Sequence, residues 1–426
     1  MSRPTIIDGG SQTRLGFGNI STDRYSAPAF RQLEWERLWP RVWHVAGRAT
    51  DLRNPGDYLT YEFGLESVLC VRQADGSVRA FHNVCRHRGR RLREPGFGSA
   101  RTFRCGYHHW EYGCDGALVN VPELELFPQL GGRLDGCRLA PLACEEFETY
   151  VWVHFDAAAP PLRDYLGPMA ERLMDYDFAS CALIADQSAE VDCNWKVAVD
   201  NINDGYHVSR LHEHLRPIYD ESGTCIELVG DHNVGSAPFG IPSPQHDDRE
   251  SVNEMLRGMM EEAGMDPASY QGPAVGVRDA IARHLRSRSP AEFNFSRLAD
   301  AQLTDFFALF VFPNLSFAST GLSHVFWRIR PHPTDPCKSY FDQQASIRIP
   351  KGQPHPPRPA TSRFQAGDGV DSLGVVPDQD AHNYARVQKG LQSSGLSGIM
   401  LGEQELLVRH FHSVLDRYLG EEARPR

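Results

Sequence analysis

A chain of 426 residues is longer than one hydrophobic core requires, and it predicts two domains or one large domain carrying an insertion. Apolar residues make up 41%, ordinary for a globular protein, and no run of about 18 or more apolar residues is present to span a membrane. The formal charge of −11 argues against a general nucleic-acid binder, although Arg86, Arg88, Arg90, Arg91 and Arg93 crowd one short stretch. The opening segment MSRPTIIDGG lacks the apolar core of a signal peptide, so a cytoplasmic location is expected. In that reducing compartment, 10 cysteines in so long a chain point to metal binding or catalysis before disulfides.

Residues 23–42 carry Tyr25, Phe30, Leu33, Trp35, Leu38 and Trp39 in a pattern that predicts a helix ending near Pro40. From 43 to about 157 short apolar runs (67–71, 149–153) alternate with Gly, Asn and Asp turns. Asp75-Gly76 and Asp115-Gly116 are hairpin signals, and the segment is expected to be a compact, mostly β module. Pro160-Pro161 marks a linker. Residues 164–176 and 194–216 read as helical, as does 247–264, where Met255, Leu256, Met259 and Met260 recur at helical spacing. Residues 306–349 hold three strand-like runs, parted by Thr320-Gly321 and by Pro331 to Pro336. A long Pro/Gly-rich loop is expected over 350–377 and a final helix over 402–419. There is no internal repeat. The layout is α+β: a helical segment 1–42, a β module 43–157 inserted after it, and a second, larger portion 158–426 completing the α+β domain.

Two matching pairs stand inside the β module, Cys85-Arg86-His87 and Cys105-Gly106-Tyr107-His108, with 17 residues between His87 and Cys105. Each pair sits among strand and turn residues and can be presented at a hairpin tip. Thiolates are good iron–sulfur ligands, and exchanging two of them for neutral imidazoles raises the reduction potential, to roughly −150 to +300 mV. A structural zinc site is the alternative for two Cys and two His, but such modules more often pair C-x2–4-C with H-x3–5-H. The pattern resembles the Rieske domain family, C-x-H followed by C-x-x-H. The resemblance implies a [2Fe–2S] cluster with Cys85 and Cys105 on one iron and His87 and His108 on the other. His109 stands where the family usually has Gly, so the hairpin tip is expected to be perturbed with all four ligand positions intact.

A second block runs from Asn194 to Arg216. His207 and His212 lie five apart, which on a regular helix leaves them about 140° out of register. A distortion or a helix end could bring both imidazoles to one metal, where a third carboxylate ligand would complete a facial triad with three open positions. On its own an H-x4-H pair says little. The block, however, resembles the mononuclear iron motif of Rieske oxygenases through Asn194, Trp195, Lys196, Asp200, Asn201, Asp204, Tyr206, His207 and His212. The segment 376–384 before Gln388-Lys389-Gly390 is similar to the family's acidic block, which implies Asp380 as the third ligand, with Asp378 as runner-up. His214 is read as a surface residue and Trp195 as packing.

The resemblance implies the large subunit of a ring-hydroxylating Rieske non-haem iron oxygenase, with an antiparallel helix-grip (START-like) sheet in its catalytic domain. Such an enzyme uses O2 and NAD(P)H-derived electrons, passed by a ferredoxin and/or flavin reductase, to hydroxylate a small molecule. Aromatic cis-dihydroxylation is favoured over monooxygenation and N- or O-demethylation. In the family the carboxylate at Asp204 bridges His207 to the neighbouring subunit's His108, so a trimer is implied, with or without a small second subunit. Asn201 is expected near the iron without binding it. Residues 218–330 should supply an apolar pocket, with Phe239, Met255, Met259, Phe310, Phe317 and Phe326 among the candidates. Arg328 or Arg330 could meet a substrate carboxylate, though surface placement is preferred. The arginines around His87 could attract an acidic electron donor. A Rieske electron carrier without oxygenase activity would leave the block from Asp200 to His212 unexplained, and a zinc-stabilised, non-catalytic binding protein would be colourless.

Overall fold

The computed structural model describes residues 3–7, 15–365 and 373–420. It divides into two compact units, Trp35–Tyr165 and a larger one formed by Met1–Glu34 with Leu166–Arg426.

The smaller unit is built on antiparallel strands. A seven-stranded sheet runs in the order His44–Arg48, Tyr150–His154, Pro141–Phe147, Val78–His82, Glu66–Arg72, Asp57–Phe63, Phe97–Ser99. A three-stranded sheet of Thr102–Arg104, Glu111–Gly113 and Leu118–Asn120 completes it. Strand Asp57–Phe63 alternates buried and half-buried residues, as a strand with one covered face must, whereas the interior of Glu66–Arg72 is buried throughout. The apolar cluster of Leu69, Phe81, Leu92, Phe103 and Tyr112 includes Cys85 and Cys105.

Two loops of this unit are built alike. Cys85 N–H donates to the Arg90 carbonyl at 2.8 Å, and Gly89 N–H donates to the Cys85 carbonyl at 3.0 Å. In the second loop Cys105 N–H donates to the Trp110 carbonyl at 2.8 Å, and His109 N–H to the Cys105 carbonyl at 3.1 Å. The equivalent fifth residues both turn left-handed, Gly89 at φ 76° and His109 at φ 58°. His109 thus occupies a position whose backbone favours glycine.

The larger unit is centred on a nine-stranded sheet. Its order is Thr5–Ile7, Cys225–Val229, His232–Ala237, Phe306–Val311, Leu315–Ser319, Ser323–Pro331, Ser339–Arg348, Cys181–Val191, Thr361–Gln365. Neighbours are antiparallel except at the two edges, where Thr5–Ile7 and Thr361–Gln365 pair in parallel. Register places Phe310 opposite Ser316, Ser316 opposite Trp327 and Trp327 opposite Gln343, so these four share one face. Helices Trp195–Ile202, Val375–Leu391 and Leu406–Leu419 lie on that face: Phe411 packs on both Phe310 and Trp195, and Tyr384 on Phe341. The reverse face holds Phe317 and Phe326 against each other, with Phe178 stacked on Phe317.

Several expectations change. The 306–349 segment forms four strands, because Phe312-Pro313-Asn314 turns the chain inside the first run. The loop expected over 350–377 contains the strand Thr361–Gln365 and gives way to helix at Val375; residues 366–372 lie outside the described residues. Arg328 and Arg330 both pair with buried Asp342, each at 2.8 Å or less, so neither is free to meet a substrate. Their charges, against the opposing cost of burial, hold the Asp342 carboxyl far below its ordinary range. Phe317 and Phe326 lie on the face away from the helices, and Met255 is exposed. Among the described residues no helix is long and apolar enough to cross a membrane.

Helix Trp195–Ile202 starts where Asn194 accepts from Lys196 N–H at 3.0 Å. Lys196 and Glu34 are both buried and pair at 2.5 Å, while Glu34 also accepts from the Trp195 indole at 3.1 Å. Burial pushes the Lys196 ammonium down and the Glu34 carboxyl up, each partly offset by the other's charge. Removing one partner strands the other charge, so Lys196→Met should cost about 3–5 kcal/mol in urea unfolding, with most of it recovered in Lys196→Met/Glu34→Leu. Relief of the left-handed residue should make His109→Gly more stable by about 1 kcal/mol, read as a rise in unfolding midpoint.

Candidate metal centres

The twin loops carry two thiols and two imidazoles. Cys85 and Cys105 are buried, and Cys85 Sγ lies 3.4 Å from the Tyr112 hydroxyl, which itself accepts from Arg86 N–H at 3.0 Å. The His87 and His108 rings lie 4.5 Å apart. His87 is stacked on Trp110 at 4.8 Å and 7°, with Phe127 against its edge. Its Nδ1 is buried without a hydrogen-bond partner, a cost that a metal bond would remove. One zinc ion would need all four donor atoms about 3–4 Å apart, given bonds near 2.0–2.3 Å. Among the described residues the one group of three or more donors within 4.8 Å is elsewhere. The four side chains therefore suit a centre larger than a single ion, and their chemistry suits a two-iron cluster.

That other group is His207, His212 and Asp380. The expected continuous helix over 194–216 is interrupted: helix ends at Ile202, and a short helix Val208–Leu211 follows. The two histidines flank that short helix, His207 at its start and His212 at its end, where φ −108° and ψ 47° leave the helical region; both Nε2 atoms reach Asp380 Oδ1, at 3.5 Å from His207 and 3.1 Å from His212. His212 Nε2 and Asp380 Oδ1 are buried and lack a hydrogen bond of ordinary geometry, so they are donor atoms left over for an ion. Asp380 sits in helix Val375–Leu391 rather than in an acidic turn. Asp378 is buried too, but its Oδ1 accepts from Leu373 N–H at 3.1 Å near the helix start, and it does not join the group.

Each imidazole is held from behind. His207 Nδ1 lies 3.1 Å from Asp204 Oδ2, and the other Asp204 oxygen accepts from Tyr206 N–H at 2.6 Å. His212 Nδ1 lies 2.7 Å from Gln379 Oε1, a partner the sequence reading missed although it adjoins Asp380. Both contacts favour the tautomer with hydrogen on Nδ1, leaving Nε2 free for metal. Burial pulls the His212 imidazole down, but contacts with Asp380 and Gln379 outweigh it and leave the group raised. Asn201, Asp204 and His207 line one cavity of about 270 Å3, with Tyr25, Asp200 and Glu405. His214 is exposed and Trp195 is packed in the interior. Two histidines and one carboxylate form the donor set of non-haem Fe(II) sites that retain open positions.

Comparison with known proteins agrees with both centres. Residues 42–130 match the Rieske [2Fe-2S] domain, and residues 178–421 the ring hydroxylating alpha subunit (catalytic domain). The chain is 38% identical over 214 residues to the chlorobenzene dioxygenase alpha subunit of Cupriavidus sp. (strain PS12), covering 48% of this chain and 46% of that one. It is 37% identical over 199 residues to a benzene 1,2-dioxygenase alpha subunit of Pseudomonas putida, covering 45% and 43%. These alignments span about half the length of the curated relatives. A quaternary ammonium Rieske monooxygenase bound to L-carnitine shares the fold, with TM-score 0.69 and 19% identity over 96% of this chain and 97% of that one. So does naphthalene 1,2-dioxygenase from Rhodococcus sp., with TM-score 0.68 and 19% identity over 94% of each. A Rieske [2Fe–2S] cluster and a mononuclear iron are accordingly the cofactors implied, and the chain belongs to the ring-hydroxylating alpha subunit family.

Proposed function

We propose that the chain is the terminal oxygenase component of a Rieske non-haem iron system, acting in the cytoplasm on a small apolar aromatic molecule, with cis-dihydroxylation as the reaction. The observation that carries this reading is the convergence of His207, His212 and Asp380 within 4.8 Å, with Asp204 behind His207. Cys85, His87, Cys105 and His108 would hold the cluster. When bound, the cluster supplies single electrons and the Fe(II) supplies a site for O2 activation.

The residues themselves do the rest. Asp204 fixes the ring of His207, and Gln379 that of His212, so both Nε2 atoms stay aimed at one point. Asn201 shares the cavity of Asp204 and His207 and would shape the surroundings without ligating. In a ring of three chains, with or without a small second subunit, Asp204 would meet His108 of the next subunit and join the two centres through one carboxylate. Exposed Arg86, Arg88, Arg90 and Arg91 surround the cluster loop, and Arg91 is paired with Glu62 at 2.7 Å. The remaining positive charge suits an acidic ferredoxin, fed with NAD(P)H electrons by a flavin reductase. Curated relatives are named for chlorobenzene and benzene, and aromatic Phe310 and Trp327 share the helix-bearing face of the sheet, which fits an aromatic substrate.

His207→Ala should abolish product formation while the visible spectrum of the cluster persists; full turnover in that variant rejects the assignment. Asp204→Asn should retain both metals yet block oxidation of the reduced cluster on adding substrate and O2, followed by stopped-flow absorbance. Reoxidation at the parent rate would remove Asp204 from the route.

A further inference from the structure

Two buried polar side chains, Tyr25 and His412, close on the half-buried Asp200 beside the cavity that His207 lines, and none of the three has a role in the reading above. The Tyr25 hydroxyl donates to Asp200 Oδ2 at 2.6 Å. His412 Nε2 lies 3.1 Å from Asp200 Oδ1 and 3.0 Å from the same hydroxyl. Tyr25 is 1% exposed and His412 2%. They come from distant parts of the chain: the turn Thr22–Tyr25, the end of helix Trp195–Ile202 and the C-terminal helix Leu406–Leu419.

Burying two polar groups where apolar ones would fit costs free energy, so the placement calls for a reason. Burial first, then the charge of Asp200, holds the Tyr25 hydroxyl in its protonated form. Burial keeps His412 neutral against the pull of Asp200, with Arg24 and Lys196 pushing the same way as burial. Tyr25 and His412 can therefore each donate to a different oxygen of Asp200, and the carboxylate is pinned at both ends.

The segment that leaves Asp200 leads straight to the metal ligands. Asn203 N–H donates to the Asp200 carbonyl at 3.1 Å, and Asp204 N–H to the Asn201 carbonyl at 3.2 Å. The turn that sets Asp204 against His207 is thus built on the residue that Tyr25 and His412 hold. Tyr25 also reaches the second metal-bearing helix, since its carbonyl accepts from Gln388 Nε2 at 3.1 Å. Tyr25, Asp200, Asp204 and His207 line the same cavity.

We propose that Tyr25, Asp200 and His412 form a positioning cluster that fixes the end of helix Trp195–Ile202, keeping Asp204 on His207 Nδ1 and thereby setting how fast electrons reach the mononuclear centre. This inference rests on the reading of Asp204 as the bridge. The test compares Tyr25→Phe, His412→Leu, His412→Gln and Asp204→Asn in the metal-loaded protein. Three readouts are taken: iron per chain, the EPR signal of the iron with nitric oxide, and the rate of cluster reoxidation with substrate and O2.

Tyr25→Phe and His412→Leu should keep their iron, broaden the nitric-oxide signal and slow reoxidation roughly tenfold, the effect of losing one hydrogen bond to a charged group. His412→Gln, which retains an N–H donor at similar reach, should recover most of the rate. Parent rates in Tyr25→Phe, or an equal loss in His412→Gln and His412→Leu, would overturn the cluster's role while a blocked Asp204→Asn leaves the bridge standing. Parent behaviour in Asp204→Asn would overturn both. Should His412→Leu fail to fold, the comparison of Tyr25→Phe with His412→Gln decides.

Discussion

Two side chains five residues apart on a regular helix point about 140° away from each other, and no single ion can hold both. The site exists because the helix between them is a single turn, Val208–Leu211, and His212 at its end has already left the helical region at φ −108° and ψ 47°. Asp204, in the turn before that helix, orients the first of the two histidines. One of its oxygens caps the turn at Tyr206 N–H and the other holds His207, so a residue between the two helices orients the histidine at the start of the second. Asp380 then arrives from a helix more than 160 residues downstream in the sequence, where its oxygen meets both Nε2 atoms.

The cluster-bearing unit solves a similar problem with two copies of one loop. Each loop closes on its first residue with the same pair of backbone hydrogen bonds, and each needs a left-handed residue at the fifth position. One loop meets that need with Gly89 and the other with His109. The unusual His109 is therefore a strained residue within an intact frame, rather than a sign that the loop differs.

The residues proposed as donors of both centres stand out in the sequence because close spacing makes a local signature: Cys85 with His87, Cys105 with His108, His207 with His212. The β module, the α+β layout and the main helices were legible from period and turn residues. A helix end or distortion at His207 and His212 was anticipated only as a requirement of metal binding, and the interruption after Ile202 was not anticipated, since Asn203-Asp204-Gly205 sits inside an otherwise helical pattern. What could not be read were partnerships across long separations. Glu34 with Lys196, Gln379 with His212, and Tyr25 with Asp200 and His412 are set by tertiary packing and leave no periodic trace. Which pocket candidates share the helix-bearing face was illegible for a related reason: Phe310 and Phe317 belong to adjacent strands, and only the register assigns them to opposite faces.

The central claim is that one chain holds both a two-iron cluster and a separate mononuclear iron. Iron and acid-labile sulfide per chain, measured with the EPR spectrum of the dithionite-reduced protein, test it most directly. The account predicts about three iron atoms and about two sulfides, with a Rieske-type signal. A colourless protein carrying zinc and no labile sulfide would contradict it.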